Sequence, residues 1–237
     1  MKRFHKYILG ASLLSIALVT TSCEDETEPT HFATQDQASA SSAATRALVY
    51  AMPAYFNHID ESLIDEKNWH GAFGYGAMMI IRDLQTGDRS IGTNYNGHFK
   101  YYACDQYMGK RYVYASYPWS YYYGFILTTN KVIAAIDLNN CTDDQKGYYG
   151  IASAFRAFCY LDLARTYEFL DNKKVKSVNE NGKDVAGLTV PIVTDAISEN
   201  DARKNPRATR ADMTKIIEDA LNKAEEYIKL STEKTTI

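Results

Sequence analysis

Apolar side chains recur at helical spacing along much of this chain. In the first such run, residues 37–59, apolar side chains fall three or four positions apart at Ala44, Leu48, Ala51, Tyr55 and Ile59. That spacing is typical of an amphipathic helix. Pro53 lies within the run and lacks the N–H that a helix interior uses. We therefore predict a helix that is kinked or ended at this proline.

A second helix is predicted from Pro118 onward, with the proline in its first turn. One stripe of this helix is apolar and contains Trp119, Tyr122, Tyr123, Ile126, Ile133 and Ile136. Tyr121 lies off the stripe. We predict that the striped rings are core and that Tyr121 faces outward.

Two further long helices carry N-terminal capping signals. The first is predicted over residues 143–169, with Thr142 as N-cap and Gln145 completing a capping box. The second is predicted over residues 210–230, with Thr209 and Asp212 in the corresponding positions. Helices of this length and spacing indicate antiparallel helix pairs.

The segments between these helices are less regular. Residues 60–117 contain one short helix, predicted over 76–84, and a stretch rich in Gly, Asn and Tyr that indicates long loops. Residues 171–187 are charged and turn-rich, and residues 188–195 form an apolar extended stretch held by Pro191. We predict an all-α fold, either a bundle or a tetratricopeptide-like helical array with long irregular loops. No clean 34-residue repeat is present.

The N-terminus has the pattern of a secretion signal. Three basic residues precede the apolar segment 8–19, which is shorter than the roughly 20 residues that a transmembrane helix needs. Cys23 follows closely in the sequence TTSC, which resembles a bacterial lipobox. We predict a signal peptide over 1–22, lipid attachment at Cys23, a flexible tether over 23–36 and a folded domain over 37–237. An ordinary secretory signal is the alternative.

The net charge of the chain argues against nucleic acid as a partner, and the spacing of its cysteines bears on metal sites and disulfides. The chain carries a net charge of −3, and its first 22 residues contain three basic and no acidic side chains, so their removal takes the net charge to −6. An acidic protein lacks the basic face that nucleic acid requires. The remaining cysteines are Cys104, Cys141 and Cys159, without a CxxC pair. Cys159 lies in an apolar run and is predicted to be buried, while a Cys104–Cys141 disulfide is possible.

An ordered set of motifs resembles the SusD/RagB family of Bacteroidota outer-membrane lipoproteins. The motifs are PWSYYYGFILTTNKVIAAI, GYYGIASAFRAFCYLDLARTY, GLTVPIVTD and PRATRADMTKIIEDALNKAEEYI. The residues that match the family pattern are Trp119, Tyr122, Asn130, Arg156, Pro191, Arg207 and Thr209. Two positions depart from it: Thr20 replaces the usual Leu of the lipobox, and Ala220-Leu221 replaces Asp-Leu.

The resemblance implies a cell-surface protein that is anchored by lipid in the outer membrane. Such a protein binds an oligosaccharide and delivers it to a TonB-dependent transporter of SusC type. It is not an enzyme and needs no cofactor. Family members continue beyond the last helix found here, so the resemblance also implies that the domain over 37–237 is incomplete at its C-terminus.

The residues themselves show no catalytic or metal-binding pattern. There is no GxSxG, P-loop or HExxH, and the histidines stand alone. Glu61, Asp65 and Glu66 cluster near Trp69, and a glycosidase needs two placed carboxylates. Solvated surface is the simpler interpretation of that cluster. We predict no catalytic residues and no metal ligands.

The ligand candidates come from the irregular region. An exposed ring can stack on the C–H face of a pyranose, and planar polar groups bind its hydroxyls. The candidates are Trp69, Tyr75, Asp83, Tyr95, Asn96 and Tyr101. Packing of these rings on helices or on a partner protein is the alternative. The alternatives to glycan binding are a tetratricopeptide-like protein-interaction lipoprotein, a binder of peptides, and a surface glycosidase.

Overall fold

Helices make up most of the structure. The computed structural model describes residues 41–58, 74–90, 99 and 112–232, and all of them belong to one unit, Gln35–Ile237. Within these ranges the α-helices are α1 (Ser42–Tyr55), α2 (Gly74–Thr86), α3 (Val113–Ala134), α4 (Asp143–Tyr167), α5 (Glu199–Ala202) and α6 (Arg210–Tyr227). A 3₁₀-helix, Ile228–Leu230, follows α6. The predicted signal peptide and tether lie outside the described residues.

Helix α4 lies at the centre of the packing, because it contacts α1, α3 and α6. It runs antiparallel to α6: Glu168, just after its end, pairs with Arg210 at the start of α6 at 2.6 Å. Near its beginning, Tyr149 accepts a hydrogen bond from Lys223 in the C-terminal part of α6, at 3.1 Å. Buried residues are spread over α4 from Gly147 to Leu163, so this helix is covered on several sides.

Helix α3 also runs antiparallel to α4. Tyr167 at the end of α4 donates to the carbonyl of Ala115 near the start of α3, at 2.8 Å, and Arg156 in the middle of α4 donates to Asn130 near the end of α3. Helix α1 closes the other side through ring contacts, such as Tyr55 against Phe125 at 4.9 Å. The aromatic side chains of three helices therefore share one core.

The predicted helices are confirmed with shifted ends, and both predicted N-cap residues cap their helices. Helix α1 ends at Tyr55, two residues after Pro53, and α2 is longer than predicted at both ends. Thr142 and Gln145 form the predicted reciprocal capping box of α4. The Thr209 side chain accepts from the backbone N–H of Asp212 at the start of α6, but the Asp212 carboxylate accepts from the Thr209 hydroxyl at 2.7 Å and does not complete a box. The short helix α5 was not predicted.

Two predictions about α3 are wrong. The helix begins at Val113, so Pro118 lies inside it, in its second turn. Tyr121 is only 2 % exposed, because α1 covers this side of α3 and the Tyr121 hydroxyl donates to the carbonyl of Tyr55 at 3.1 Å. Trp119, Tyr122 and Tyr123 belong to the core or pack against it, as predicted.

The all-α prediction is confirmed for the part of the chain that the structure describes. There, pairing between extended residues is limited to three isolated bridges, Phe169↔Ala186, Val178↔Asp184 and Leu188↔Thr209. The tetratricopeptide-like arrangement stays a prediction. In the same ranges no helix combines the length and apolar character needed to cross a bilayer. Cys159 is fully buried as predicted, and Cys141 carries a free thiol, while Cys104 lies outside the described residues.

Candidate functional site

The motif residues of α3 and α4 hold the extended segment 188–195. Tyr123 of α3 donates its hydroxyl to the carbonyl of Pro191 at 2.6 Å. Tyr160 of α4 both donates to the carbonyl of Val193 at 2.7 Å and accepts from its N–H at 2.8 Å. The side-chain amide of Asn130 donates to the same carbonyl at 3.0 Å. A segment without regular secondary structure thereby has its backbone polar groups satisfied by side chains.

Arg156 anchors the end of this segment from inside the core. The residue is 5 % exposed, and its Nη1 donates to Asn130 Oδ1 at 3.2 Å and to Asp195 Oδ1 at 3.1 Å. The Nε atom is buried and has no hydrogen-bond partner among the described residues. Burying a guanidinium costs much free energy unless it is paired and hydrogen-bonded, so Asp195 and Asn130 together explain its position.

Arg207 anchors the beginning of the segment. Its Nη1 donates to the carbonyls of Thr189 at 3.0 Å and Tyr167 at 3.2 Å. The guanidinium also lies 6.0 Å from the centre of the Trp119 ring, within the range of a cation–π contact. The motif residues Asn130, Arg156 and Arg207 thus all hold residues 188–195 in place between the helices.

A second polar network links α2 to the core. Asp162 of α4, 3 % exposed, accepts from Arg82 Nη1 at 2.7 Å and from the Tyr122 hydroxyl at 2.8 Å. Arg82 Nη2 donates to the Tyr75 hydroxyl at 2.7 Å. Burial alone would lower the pKa of Arg82, but the Tyr75 hydrogen bond and the Asp162 charge raise it. Burial, and then Asp162, raise the pKa of Tyr122 well above its usual value, so both groups keep their protons.

This network borders a polar cleft of about 410 Å³ between the C-terminal parts of α2 and α4. Helix α2 and the turn after it contribute Met79, Arg82, Asp83, Gln85, Thr86 and Asp88, and α4 contributes Arg165 and Thr166. The Thr86 hydroxyl donates to Asp88 at 2.7 Å. Planar guanidinium, amide and carboxylate groups in one cleft are the groups that bind sugar hydroxyls or peptide termini.

Two further clefts have mainly apolar linings. One, of about 510 Å³, lies beside the extended segment and includes Leu127, Val193 and Ile197. The other, of about 350 Å³, lies between α4 and α6 and includes Leu161, Met213 and Ile217. Arg165 lines this second cleft as well as the polar one. Within the described residues, no aromatic ring lines any of these three clefts.

Of the predicted ligand residues, Tyr75 and Asp83 lie in the described part of the chain. The Tyr75 ring packs against Phe158 at 5.0 Å and Phe56 at 5.3 Å, so most of its surface serves the interior. Asp83 is exposed and lines the polar cleft. The remaining candidates lie outside the described residues, as do the lipid-attachment cysteine and the acidic cluster near Trp69: Cys23, Glu61, Asp65, Glu66, Trp69, Tyr95, Asn96 and Tyr101.

Sequence reasoning missed Arg82, Asp88 and Arg165 as site residues. Arg165 could have been found from its position, because it is a charged residue near the end of α4, a helix that is buried on several sides. Arg82 was harder to find, because its partner Asp162 is 80 positions away in the chain. Among the described residues, no group of three or more His, Cys, Asp or Glu side chains is placed to hold a metal ion.

Comparison with known proteins adds no identification. No protein-family model matches this chain. No curated protein matches it at a significant level.

Proposed function

We propose that this protein is a nutrient-binding lipoprotein of the SusD/RagB type. It is anchored in the outer membrane through a lipid on Cys23 and faces the cell surface. It captures an oligosaccharide there and delivers it to a TonB-dependent transporter of SusC type. Binding, not bond cleavage, is its activity, and it needs no cofactor.

The observation that carries this proposal is the ordered motif set together with its placement. Three motif residues that are far apart in the sequence each donate a hydrogen bond to residues 188–195: Asn130, Arg156 and Arg207. That segment itself contains a further motif residue, Pro191. These contacts support the proposal, because residues from separate motifs meet at one segment. The polar cleft supports binding of a hydroxyl-rich ligand, because it offers both donors and acceptors.

The test of the ligand class is binding by the mature protein from Cys23 onward. A glycan array followed by calorimetry should find saturable binding to at least one oligosaccharide. Absence of binding to every glycan, together with saturable binding of peptides, would exclude the sugar as ligand. Co-purification of the tagged protein with a TonB-dependent transporter, identified by mass spectrometry, tests the partner.

Peptide binding is the second candidate, and one observation favours it. The clefts described above lack an aromatic lining within the described residues, and two of them are mainly apolar, as suits peptide side chains. The same array experiment, extended to a peptide library, separates the two ligand classes. An adaptor that only contacts proteins would bind neither.

The lipid anchor has its own test. The Cys23→Ala protein should lose palmitate labelling and leave the membrane fraction. Cys141→Ala is the matched control, since Cys141 is a free thiol, and it should remain labelled and membrane-bound. Full membrane retention of the Cys23→Ala protein would contradict the anchor.

A further inference from the structure

Two opposite charges line the polar cleft without pairing. Asp83 belongs to α2 and Arg165 to α4, and both side chains contribute to the cleft wall. Both residues are exposed. Within the described part of the chain, neither the Asp83 carboxylate nor the Arg165 guanidinium makes a hydrogen bond or an ion pair. One wall of the cleft therefore carries a hydrogen-bond acceptor, Asp83, and the other wall carries a hydrogen-bond donor, Arg165.

The neighbouring charges are fixed by the protein itself. Arg82 is held by Asp162 and Tyr75 through two hydrogen bonds of 2.7 Å, and Asp88 accepts from Thr86. These contacts hold two of the four charged groups in place before any ligand arrives. They therefore leave Asp83 and Arg165 as the charged groups of the described lining that can bind a ligand.

The charge balance of the cleft disfavours an anion. Among the described residues that line the cleft, Arg82 and Arg165 are matched by Asp83 and Asp88, so this part of the lining has no excess positive charge. The C-terminal ends of α2 and α4 lie at the same cleft, at Thr86 and Tyr167, and helix C-termini carry partial negative charge. A sugar that carries carboxylate or sulfate groups would gain no net attraction from these charges and would be opposed by the helix C-termini.

A neutral polyol fits these requirements, since each hydroxyl both donates and accepts. Of two neighbouring hydroxyls, one can donate to a carboxylate while the other accepts from a guanidinium. Met79, 50 % exposed, offers an apolar surface to the C–H groups of the ring. The volume of about 410 Å³ lies in the range of small-molecule sites. Resting on the proposed glycan-binding function, the geometry points to this cleft as a subsite for an uncharged sugar, with its neighbouring hydroxyls bridging Asp83 and Arg165.

The test compares cleft variants of the mature protein by calorimetry. The probes are neutral gluco-, manno- and xylo-oligosaccharides, oligogalacturonides as the anionic arm, and glycylglycine as a zwitterion. Asp83→Ala and Arg165→Ala should each weaken binding of the neutral sugar at least about tenfold, because each removes a hydrogen bond to a charged group. Asp83→Asn keeps an acceptor and should lose only a few-fold, within the range of a neutral hydrogen bond. Lys215→Ala and Asp219→Ala, on exposed positions of α6, are the charge-matched controls and should bind normally.

The outcomes separate this subsite from the function on which it rests. If the unmodified protein binds a neutral sugar and both alanine variants bind it equally well, the subsite is wrong and the glycan-binding function stands. If the unmodified protein binds no sugar, the subsite and the glycan-binding function are both wrong. Binding of glycylglycine that weakens with added salt and is lost in Asp83→Asn would assign the cleft to a zwitterion instead, and stronger binding of the oligogalacturonides would overturn the charge argument.

Discussion

The Nη1 atom of Arg156 lies 3.1 Å from Oδ1 of Asp195, and the two side chains are 6 % and 32 % exposed. The same nitrogen donates to Asn130. One buried guanidinium therefore joins the middle of α4, the end of α3 and the extended segment 188–195. The structure assigns Arg156 to the fold and not to a ligand, although its sequence motif is one of the marks of the family resemblance.

Replacing Arg156 should destabilise the protein in proportion to the packing that is lost. Arg156→Ala should cost about 3 kcal/mol, because it leaves a cavity and removes a donor from two acceptors. Arg156→Met should cost roughly half as much, since it fills most of the space and the partly exposed Asp195 carboxylate can be hydrated. Urea unfolding of the purified variants measures both changes. Equal losses for Met and Ala would show that the hydrogen bonds, not the packing, dominate.

The network around Asp162 should show strong coupling. Asp162→Ala should cost about 3 kcal/mol, because the buried Tyr122 hydroxyl loses its acceptor and Arg82 loses its ion pair. Tyr122→Phe alone should cost about 1 kcal/mol. The double variant should cost clearly less than the sum, which a double-mutant cycle measures. Asp219→Asn, on an exposed position of α6, is the control and should change stability little; additive losses would contradict the network.

Local signals predicted the helices well, because caps and apolar spacing act over a few residues. Thr142 and Gln145 are three positions apart, and their hydrogen bonds depend only on that spacing. The burial of Tyr121 could not be predicted from α3 alone, since it depends on α1 packing against that side. Pro118 was predicted in the first turn because the segment before it carries no clear apolar stripe. The helix in fact begins at Val113.

The candidate site was predictable only in part. Asp83 stood out as a polar residue near aromatic ones, and it does line a cleft. Arg165 and Arg82 meet in that cleft only because α2 and α4 pack with their C-terminal parts together. Contacts between residues that are 80 positions apart, as in Arg82 and Asp162, leave no periodic signal in a single sequence.

Gly150 should be intolerant of any side chain. A Cβ atom there would lie 2.7 Å from the backbone nitrogen of Ile228 and 3.1 Å from Cβ of Tyr227. Gly150→Ala should therefore push the end of α6 away from α4 and cost about 1–3 kcal/mol. Gly76→Ala is the matched control, since a Cβ there meets nothing within 4 Å. In α2 it should raise stability by about 0.5–1 kcal/mol, because alanine favours helix.

Thermal unfolding of these two glycine variants gives the comparison directly. Opposite shifts of the midpoint, downward for Gly150→Ala and upward for Gly76→Ala, are expected. An unchanged midpoint for Gly150→Ala would mean that α6 and the 3₁₀-helix can move away from α4 at no cost.

Buried tyrosines should make the protein unstable in alkali. Burial raises the pKa of Tyr160 to about 12, and burial also raises the pKa of Tyr121, Tyr122, Tyr123 and Tyr167 above the usual range. In the unfolded chain these phenols lose their protons near pH 10. Above that pH the folded state binds more protons than the unfolded state, so the free energy of unfolding falls as the pH rises.

Each tyrosine that keeps its proton in the folded state should then cost about 1.4 kcal/mol for every pH unit above about 10. Below about pH 10 the tyrosines should contribute no pH dependence. Urea unfolding at increasing alkaline pH measures this loss, and phenolate absorbance recorded with circular dichroism identifies its origin. The absorbance of the buried tyrosines should appear together with the loss of helix. Titration of all tyrosines near pH 10 with the helices intact would contradict their burial in the core.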